Sequence, residues 1–265
     1  MSVGTARVKA VHHILNPALP DPGARGLCAL AIMTKAPRAG YVKTRLVPPL
    51  TPDEAAALNV CLLRDTAAAI AQALGENARG VAIYTPIGAE AEYIDILPSG
   101  FELVPQRDGA FGERLALAAQ DLFRIGFSSV CLIDSDSPTV APEIYAQAAS
   151  ELMKAGDRAV LGPSDDGGYY LIGLKQNHRS LFEHIDWSTE RVLDQTIQRA
   201  AEHNLEVKLL AVGFDVDDRA TLRRLCDELL GQNSNASVAP ETRRFLRNLI
   251  EREGRQRVWP VQVTK

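Results

Sequence analysis

Short, almost unbroken apolar runs recur along this chain, and most are followed by a stretch with helical spacing. The runs are LCALAIM (27–33), VAIYT (81–85), FELVP (101–105), SVCLI (129–133), RAVLG (158–162), YYLIGL (169–174) and LEVKLLAVG (205–213). A strand covered on both faces needs no polar alternation, so runs of this length predict strands buried between helices. Helical patterns cover 51–74, 112–126, 141–156, 188–203 and 217–230, with only a weak one between 85 and 101. Such alternation predicts an α/β fold: a mainly parallel open sheet, helices on both faces, three α/β/α layers. The segment 169–174 is expected to be antiparallel or an edge strand.

Local signals punctuate this order. Thr51, Pro52 and Glu54 form the signature of a capped helix start with a first-turn proline. Ser188 with Arg191 is a partial version of the same box. Residues 1–26 carry Pro17, Pro20, Pro22, Gly23 and Gly26 and read as a mobile lead-in. One domain over 27–231 is the simplest account, with a helical, arginine-rich tail over 232–265.

Composition excludes several classes. The formal net charge of −4 gives no general attraction to nucleic acid or an anionic membrane, so a polyanion site must be a local cation cluster. No apolar run approaches the ~20 residues of a membrane helix. No secretory signal is evident either, so a cytoplasmic protein is expected. Cys28, Cys61, Cys131 and Cys226 stand far apart without metal spacing and read as small core side chains. The five histidines are scattered, and neither a nucleophile elbow nor a dinucleotide or Walker fingerprint is present.

In open sheets of this kind ligands sit at the carboxyl ends of the strands, which selects the loops after 33, 105, 133, 162 and 213. The first, TKAPRAGYVKTRLVPPL (34–50), offers Lys35, Arg38, Lys43 and Arg45, with Pro37 and Gly40 shaping the turn. A solvated basic loop is its bland reading; its place after the first strand favours phosphate binding. CLIDSDSPTV (131–140) sets Asp134 and Asp136 one residue apart, so both can point the same way in an extended segment. Hard oxygens suit Mg²⁺ or Mn²⁺, while an Asx turn before Pro138 is the alternative. SDDGG (164–168) fits either close approach to a ligand or a plain tight turn. In GFDVDD (213–218), Asp217 or Asp218 suits helix capping. Gln106 and Arg114 come from the loop after 105; Glu113 and Arg114 also fit a solvated first helical turn.

Together, K-x-P-x-x-G-x-x-K-T-R-L, P-Q-x-x-x-x-F-G-E-R-L, D-S-D-S-P, G-P-S-D-D-G-G-Y-Y-L-I-G-L, W-S-T and D-V-D resemble a bacterial family of GT-A-like transferases. That family is often labelled glycosyltransferase, one label being arsenosugar biosynthesis, and is similar to 2-phospho-lactate guanylyltransferases. The resemblance covers about 27–230. It implies a nucleotide-diphospho-sugar transferase fold with a nucleotide over the strand ends and a divalent cation on its diphosphate. Lys35, Lys43 and Arg45 match the family's phosphate-facing loop, and Asp136 its acidic metal position. Asp166, Gly167, Gly168 and Tyr169 match a second-substrate segment, joined by Trp187. Asp217 matches a late acidic position. Asp134 stands where the family motif has glycine, which creates the D-x-D and favours glycosyltransferase-style metal binding.

The expectation is a transferase with Mg²⁺ or Mn²⁺ on Asp134, Asp136 and Asp217, a nucleotide-activated donor and a small acceptor. Lys43 and Arg45 would face the leaving diphosphate and Asp166 the acceptor hydroxyl. Nucleotidylyl transfer and an inactive nucleotide-binding domain are the rivals. Oligomeric state stays open, with Trp187, Trp259 and the tail as interface candidates.

Overall fold

The computed structural model describes residues 11–232 and 234–259. In chain order the main elements are β1 (Cys28–Lys35), α1 (Pro52–Ala73), β2 (Ala78–Thr85), β3 (Glu102–Pro105), α2 (Phe111–Ile125), β4 (Ser129–Ile133) and α3 (Pro142–Met153). They continue as β5 (Arg158–Pro163), β6 (Tyr169–Leu174), α4 (Val192–Glu202), β7 (Glu206–Leu209), α5 (Arg219–Leu230) and α6 (Pro240–Glu253). The strands form one seven-stranded sheet in the order β3-β2-β1-β4-β6-β5-β7. β1 pairs in parallel with both β2 and β4, and β6 runs antiparallel to β4 and β5. The mainly parallel open sheet is as expected, including the antiparallel 169–174.

Two apolar layers flank the sheet. Leu63, Ala67 and Ile70 of α1 join Tyr145 and Leu152 of α3 on one face. Leu115, Ala119 and Leu122 of α2 join Ala200 of α4 on the other. Because β1 and β4 are buried on both faces, their apolar continuity is a packing requirement. The chain leaves β1 for β2 and β3 on one side and returns for β4 on the other, which opens a crevice at the carboxyl ends of β1 and β4.

The cap at α1 forms as its sequence predicts: Thr51 Oγ1 accepts from Glu54 N at 3.2 Å and Glu54 Oε2 from Thr51 N at 2.9 Å. The partial box at Ser188 does not form. Ser188 has φ +64°, and α4 starts at Val192 with no side-chain cap on Arg191. The run 205–213 forms a strand only over Glu206–Leu209, with a further isolated bridge between Gly213 and Ser164. The weak stretch after β2 contains a short 3-10 turn, Glu90–Tyr93.

Both ends of the described chain pack on this sheet unit. Of the segment read as a mobile lead-in, Leu15 N donates to Leu103 O and Leu103 N to His13 O, each at 2.8 Å, which covers the β3 edge. His12 is buried with its Nδ1 2.9 Å from Phe101 O. The tail adds a third cluster in which Leu246, Leu249, Val258 and Trp259 meet Leu58 and Leu62 of α1 and Leu225 of α5. Trp259 is buried there and donates to Asp227 Oδ1 at 2.7 Å.

Asp65 of α1 caps α6 from outside, accepting from Glu241 N at 3.1 Å and Thr242 N at 2.8 Å. Burial pushes its pKa up, against those hydrogen bonds. Asp65→Ala leaves two helix-start N–H groups unpaired and is expected to cost about 2 kcal/mol. A fall in melting temperature of roughly 4–8 °C checks this.

Candidate active site

A cleft of about 670 Å³ opens at the carboxyl ends of the central strands. Lys35, at the end of β1, lines it together with Lys43 and Arg45 from the following loop. Asp134 and Asp136 enter directly after β4, and Asp215 and Asp217 after β7. These acidic loops are tied together, with Val216 N donating to Asp136 O at 3.0 Å. Gln106, Phe111, Arg114, Tyr169 and Trp187 also line the cleft, with Asp166 at the β5–β6 turn.

Opposite charges from distant segments meet here. Lys43 Nζ lies 2.5 Å from Asp136 Oδ2, and the lysine side chain is only 4% exposed. Arg45 Nη1 lies 2.6 Å from Asp217 Oδ2, at the exposed lip. Lys43 has φ +48° and ψ +38°, the left-handed region that a lysine seldom adopts, and precedes a short 3-10 turn at Thr44–Leu46. Lys35 Nζ donates to Tyr41 O at 3.1 Å.

Asp134 carries the site's strongest electrostatic signal. Its Oδ2 accepts from Ser137 Oγ at 2.7 Å. Burial, then the Asp136 charge beside it, pushes its pKa up to about 8, with Asp215 adding to the effect. Burial also raises Asp215, reinforced by Asp166 and Asp136 and opposed by Lys43. A carboxyl with a raised folded-state pKa binds a proton that the unfolded chain has already lost. Stability therefore falls as pH rises from about 4 to about 8, by at most ~6 kcal/mol. Asp134→Asn removes that fall. In urea melts with EDTA the variant should match wild type near pH 4 and exceed it by a few kcal/mol at pH 8.

The aromatic wall depends on one glycine. Trp187 meets Phe111 edge-on at 5.1 Å between ring centroids and Tyr169 at 6.4 Å. A Cβ on Gly112 would lie 2.3 Å from Trp187 Nε1, so only glycine lets the indole sit against α2. Arg114 lies over the Phe111 ring at 5.7 Å.

Most sequence-predicted site residues line the cleft; some do not. Arg38 pairs with Glu92 at 2.5 Å outside it, and neither Pro37 nor Gly40 lines it. Gly167 forms the turn rather than the wall: it has φ +89° and packs on the backbone of Glu190. Asp217 lines the cleft and is held by Arg45; Asp215 lines it too, and its charge bears on Asp134. Asn59 of α1 was missed altogether. It lines the cleft, is buried, and its Oδ1 has no hydrogen-bond partner.

Among the described residues, no group of three or more His, Cys, Asp or Glu side chains forms a metal cage. The donor set nevertheless fits a hard cation shared with a ligand. Asp134 and Asp136 are neighbouring carboxylates with a raised proton affinity at Asp134, and Asn59, which also lines the cleft, has a buried Oδ1 without a hydrogen-bond partner. Mg²⁺ commonly takes only one or two protein carboxylates, the rest of its shell being water and phosphate.

A crystal structure of a candidate nucleotide-diphospho-sugar transferase from Desulfovibrio desulfuricans G20 matches 86% of this chain and 97% of its own, at 28% identity and TM-score 0.74. The fold is that of the nucleotide-diphospho-sugar transferases. Residues 66–189 also match DUF2064, described as an uncharacterized protein family conserved in bacteria. No curated protein sequence matches the chain. Two more distant likenesses are a CMP:2-keto-3-deoxy-manno-octonic acid synthetase complexed with CTP and Rv0371c of Mycobacterium tuberculosis H37Rv with manganese. The first is 9% identical over 75% of this chain and 96% of its own, with TM-score 0.48. The second is 17% identical over 75% and 97%, with TM-score 0.47. Within the nucleotide-diphospho-sugar transferase fold, this cleft occupies the crevice that the topology reserves for ligands. Among the described residues, no helix is long and apolar enough to cross a membrane.

Proposed function

We propose that the protein is a metal-dependent transferase that moves a sugar-like group from a nucleotide diphosphate to a small acceptor. The observation that carries this reading is the meeting of Lys43 with Asp136, beside Asp134 and Asp215, in one cleft at the strand ends. Such a site presents cations to a diphosphate and carboxylates to its counter-ion at once. The likeness to the Desulfovibrio desulfuricans protein supports the same reading.

Asp134 and Asp136 would hold Mg²⁺ or Mn²⁺, with Asp215 rather than Asp217 as the nearby third carboxylate. The cation, when bound, offsets charge that builds on the leaving diphosphate. Lys35, Lys43 and Arg45 bind and orient the phosphates, and Arg114 and Gln106 flank the donor. Asp166 Oδ1 already accepts from Gly168 N at 2.9 Å, which leaves Oδ2 for the acceptor. The acceptor hydroxyl attacks the sugar-like carbon, its bond to the diphosphate oxygen breaks, and the hydroxyl proton passes to Asp166. Phe111, Tyr169 and Trp187 supply apolar faces against which a ring can pack and exclude water.

One observation favours a second reading. Lys35, Lys43, Arg45 and Arg114 all line the cleft, enough cations for a triphosphate. The rival is nucleotidylyl transfer from an NTP to a phosphorylated acceptor with release of pyrophosphate. Calorimetry with UDP- and GDP-sugars in Mn²⁺, beside a pyrophosphate assay over an NTP panel, separates the two. Binding of a nucleotide sugar without pyrophosphate release supports glycosyl transfer. No metal-dependent binding of any nucleotide would end both readings.

A further inference from the structure

The cation that touches Asp136 belongs to the protein itself. We propose that Lys43 is a resident counter-ion: its ammonium takes the divalent cation's place on Asp136 in the ligand-free protein and gives it up when cation and nucleotide bind together. The proposal deepens the transferase reading and rests on it for the nucleotide half of the exchange.

Three observations carry it. First, Lys43 Nζ is 2.5 Å from Asp136 Oδ2, closer than a loose surface pair, and the side chain is almost wholly withdrawn from water. A divalent ion on that oxygen would sit at roughly 2.0–2.2 Å, so two positive centres would crowd one carboxylate. One must leave. Second, the cleft end is rich in carboxylates, Asp134, Asp136 and Asp215 together, while Arg45 is committed to Asp217 at the lip. Lys43 is thus the ammonium that offsets Asp136 in this structure. Third, the side chain can move to a new partner. Lysine is a compact charge on a flexible four-carbon stem, and its backbone sits in the uncommon left-handed region within the loop between β1 and α1.

Nucleotide phosphates give the displaced ammonium a new anion in the same cleft, and the metal then takes Asp136. Metal alone must instead strip Lys43 from Asp136 with no new partner for it. The two ligands are therefore coupled: bare Mn²⁺ binds weakly, and Mn²⁺ with nucleotide binds well.

Manganese calorimetry on the full chain tests this, with electron paramagnetic resonance of free Mn²⁺ as a second readout. Lys43→Met and Lys43→Gln should bind Mn²⁺ without nucleotide about fivefold or more tighter than wild type. Lys43→Arg, which keeps the charge, should stay near wild type. With a nucleoside diphosphate sugar present the sign reverses, and the Met and Gln variants bind the nucleotide more weakly. In EDTA both neutral variants should melt lower than wild type, and Mn²⁺ should raise their melting temperature by more. The glutamine variant keeps the test alive if the methionine one fails to fold. Mn²⁺ affinity unchanged or reduced in the folded neutral variants overturns the proposal. Tighter bare Mn²⁺ with no nucleotide bound by wild type or any variant leaves the counter-ion role standing and removes the transferase reading instead.

Discussion

Asp136→Asn is expected to lower transfer by roughly 10²–10³-fold and to remove most Mn²⁺-dependent nucleotide binding. Asparagine keeps the shape and still accepts from Ser135 Oγ, which lies 2.9 Å from Asp136 Oδ1 in the wild type. It removes the charge that holds Lys43 and that a divalent cation needs. Two effects then add. The cation loses a carboxylate, and the Lys43 ammonium, 4% exposed, loses its ionic partner. Calorimetry with and without Mn²⁺, read beside turnover, separates binding from chemistry. Wild-type nucleotide affinity in the variant would remove Asp136 from the site. Arg45→Ala supplies a contrast: its pair with Asp217 is largely solvent-exposed, so its loss should weaken binding with little change in stability.

The largest stability effect is expected from Gly167→Ala. Gly167 has φ +89°, and an added Cβ would lie 2.1 Å from Glu190 O and 2.6 Å from Glu190 Cα. Those neighbours are backbone and cannot swing aside. Leu193 N also donates to Gly167 O at 2.8 Å, so relieving the clash means pulling the start of α4 from the β5–β6 turn. Left-handed strain and overpacking together cost about 3–5 kcal/mol. A drop in melting temperature of roughly 10 °C, with Trp187 fluorescence disturbed, is the expected result. Gly168→Ala is the control. Its nearest neighbour would be the Asp166 carboxylate at 3.1 Å, a side chain that can yield, so its effect should stay within about 1 kcal/mol. Equal losses in both variants would show that the turn, not the contact with Glu190, sets the cost.

Much of the fold is legible because its signals are local. The strand β4 is apolar from Val130 to Ile133 because both its faces are covered, and Thr51 caps α1 through Glu54 only three residues away. The Ser188 signal fails for the complementary reason. A cap pattern states a preference, and here the backbone of 188–191 follows the contacts between this loop and the β5–β6 turn. Asp65 gives no capping signal at all, since the helix start that it serves lies at Glu241 and Thr242.

The site divides along the same line. Which loops hold it follows from the order of strands and helices, because ligand crevices form where parallel strands end. Lys43, Arg45, Asp134 and Asp136 are charges that those loops carry, and they line one cleft. The charge contact between Asp215 and Asp134 was not legible. It depends on how an irregular segment is anchored, here by Val216 N on Asp136 O. Asn59 was hidden because a polar residue in an alanine-rich helix reads as surface, yet here it is 5% exposed and faces the cleft.

The sequence by itself determined the alternation of buried strands and covering helices, and with it the crevice and the charges at its rim. Hydrophobic continuity and capping act between near neighbours, so they are written in order along the chain. Only the tertiary structure decided the partners: Lys43 with Asp136, Arg45 with Asp217, and Trp259 against α1 and α5. Coulomb and packing energies depend on distance in space, and these residues become neighbours only once the sheet has brought their loops together.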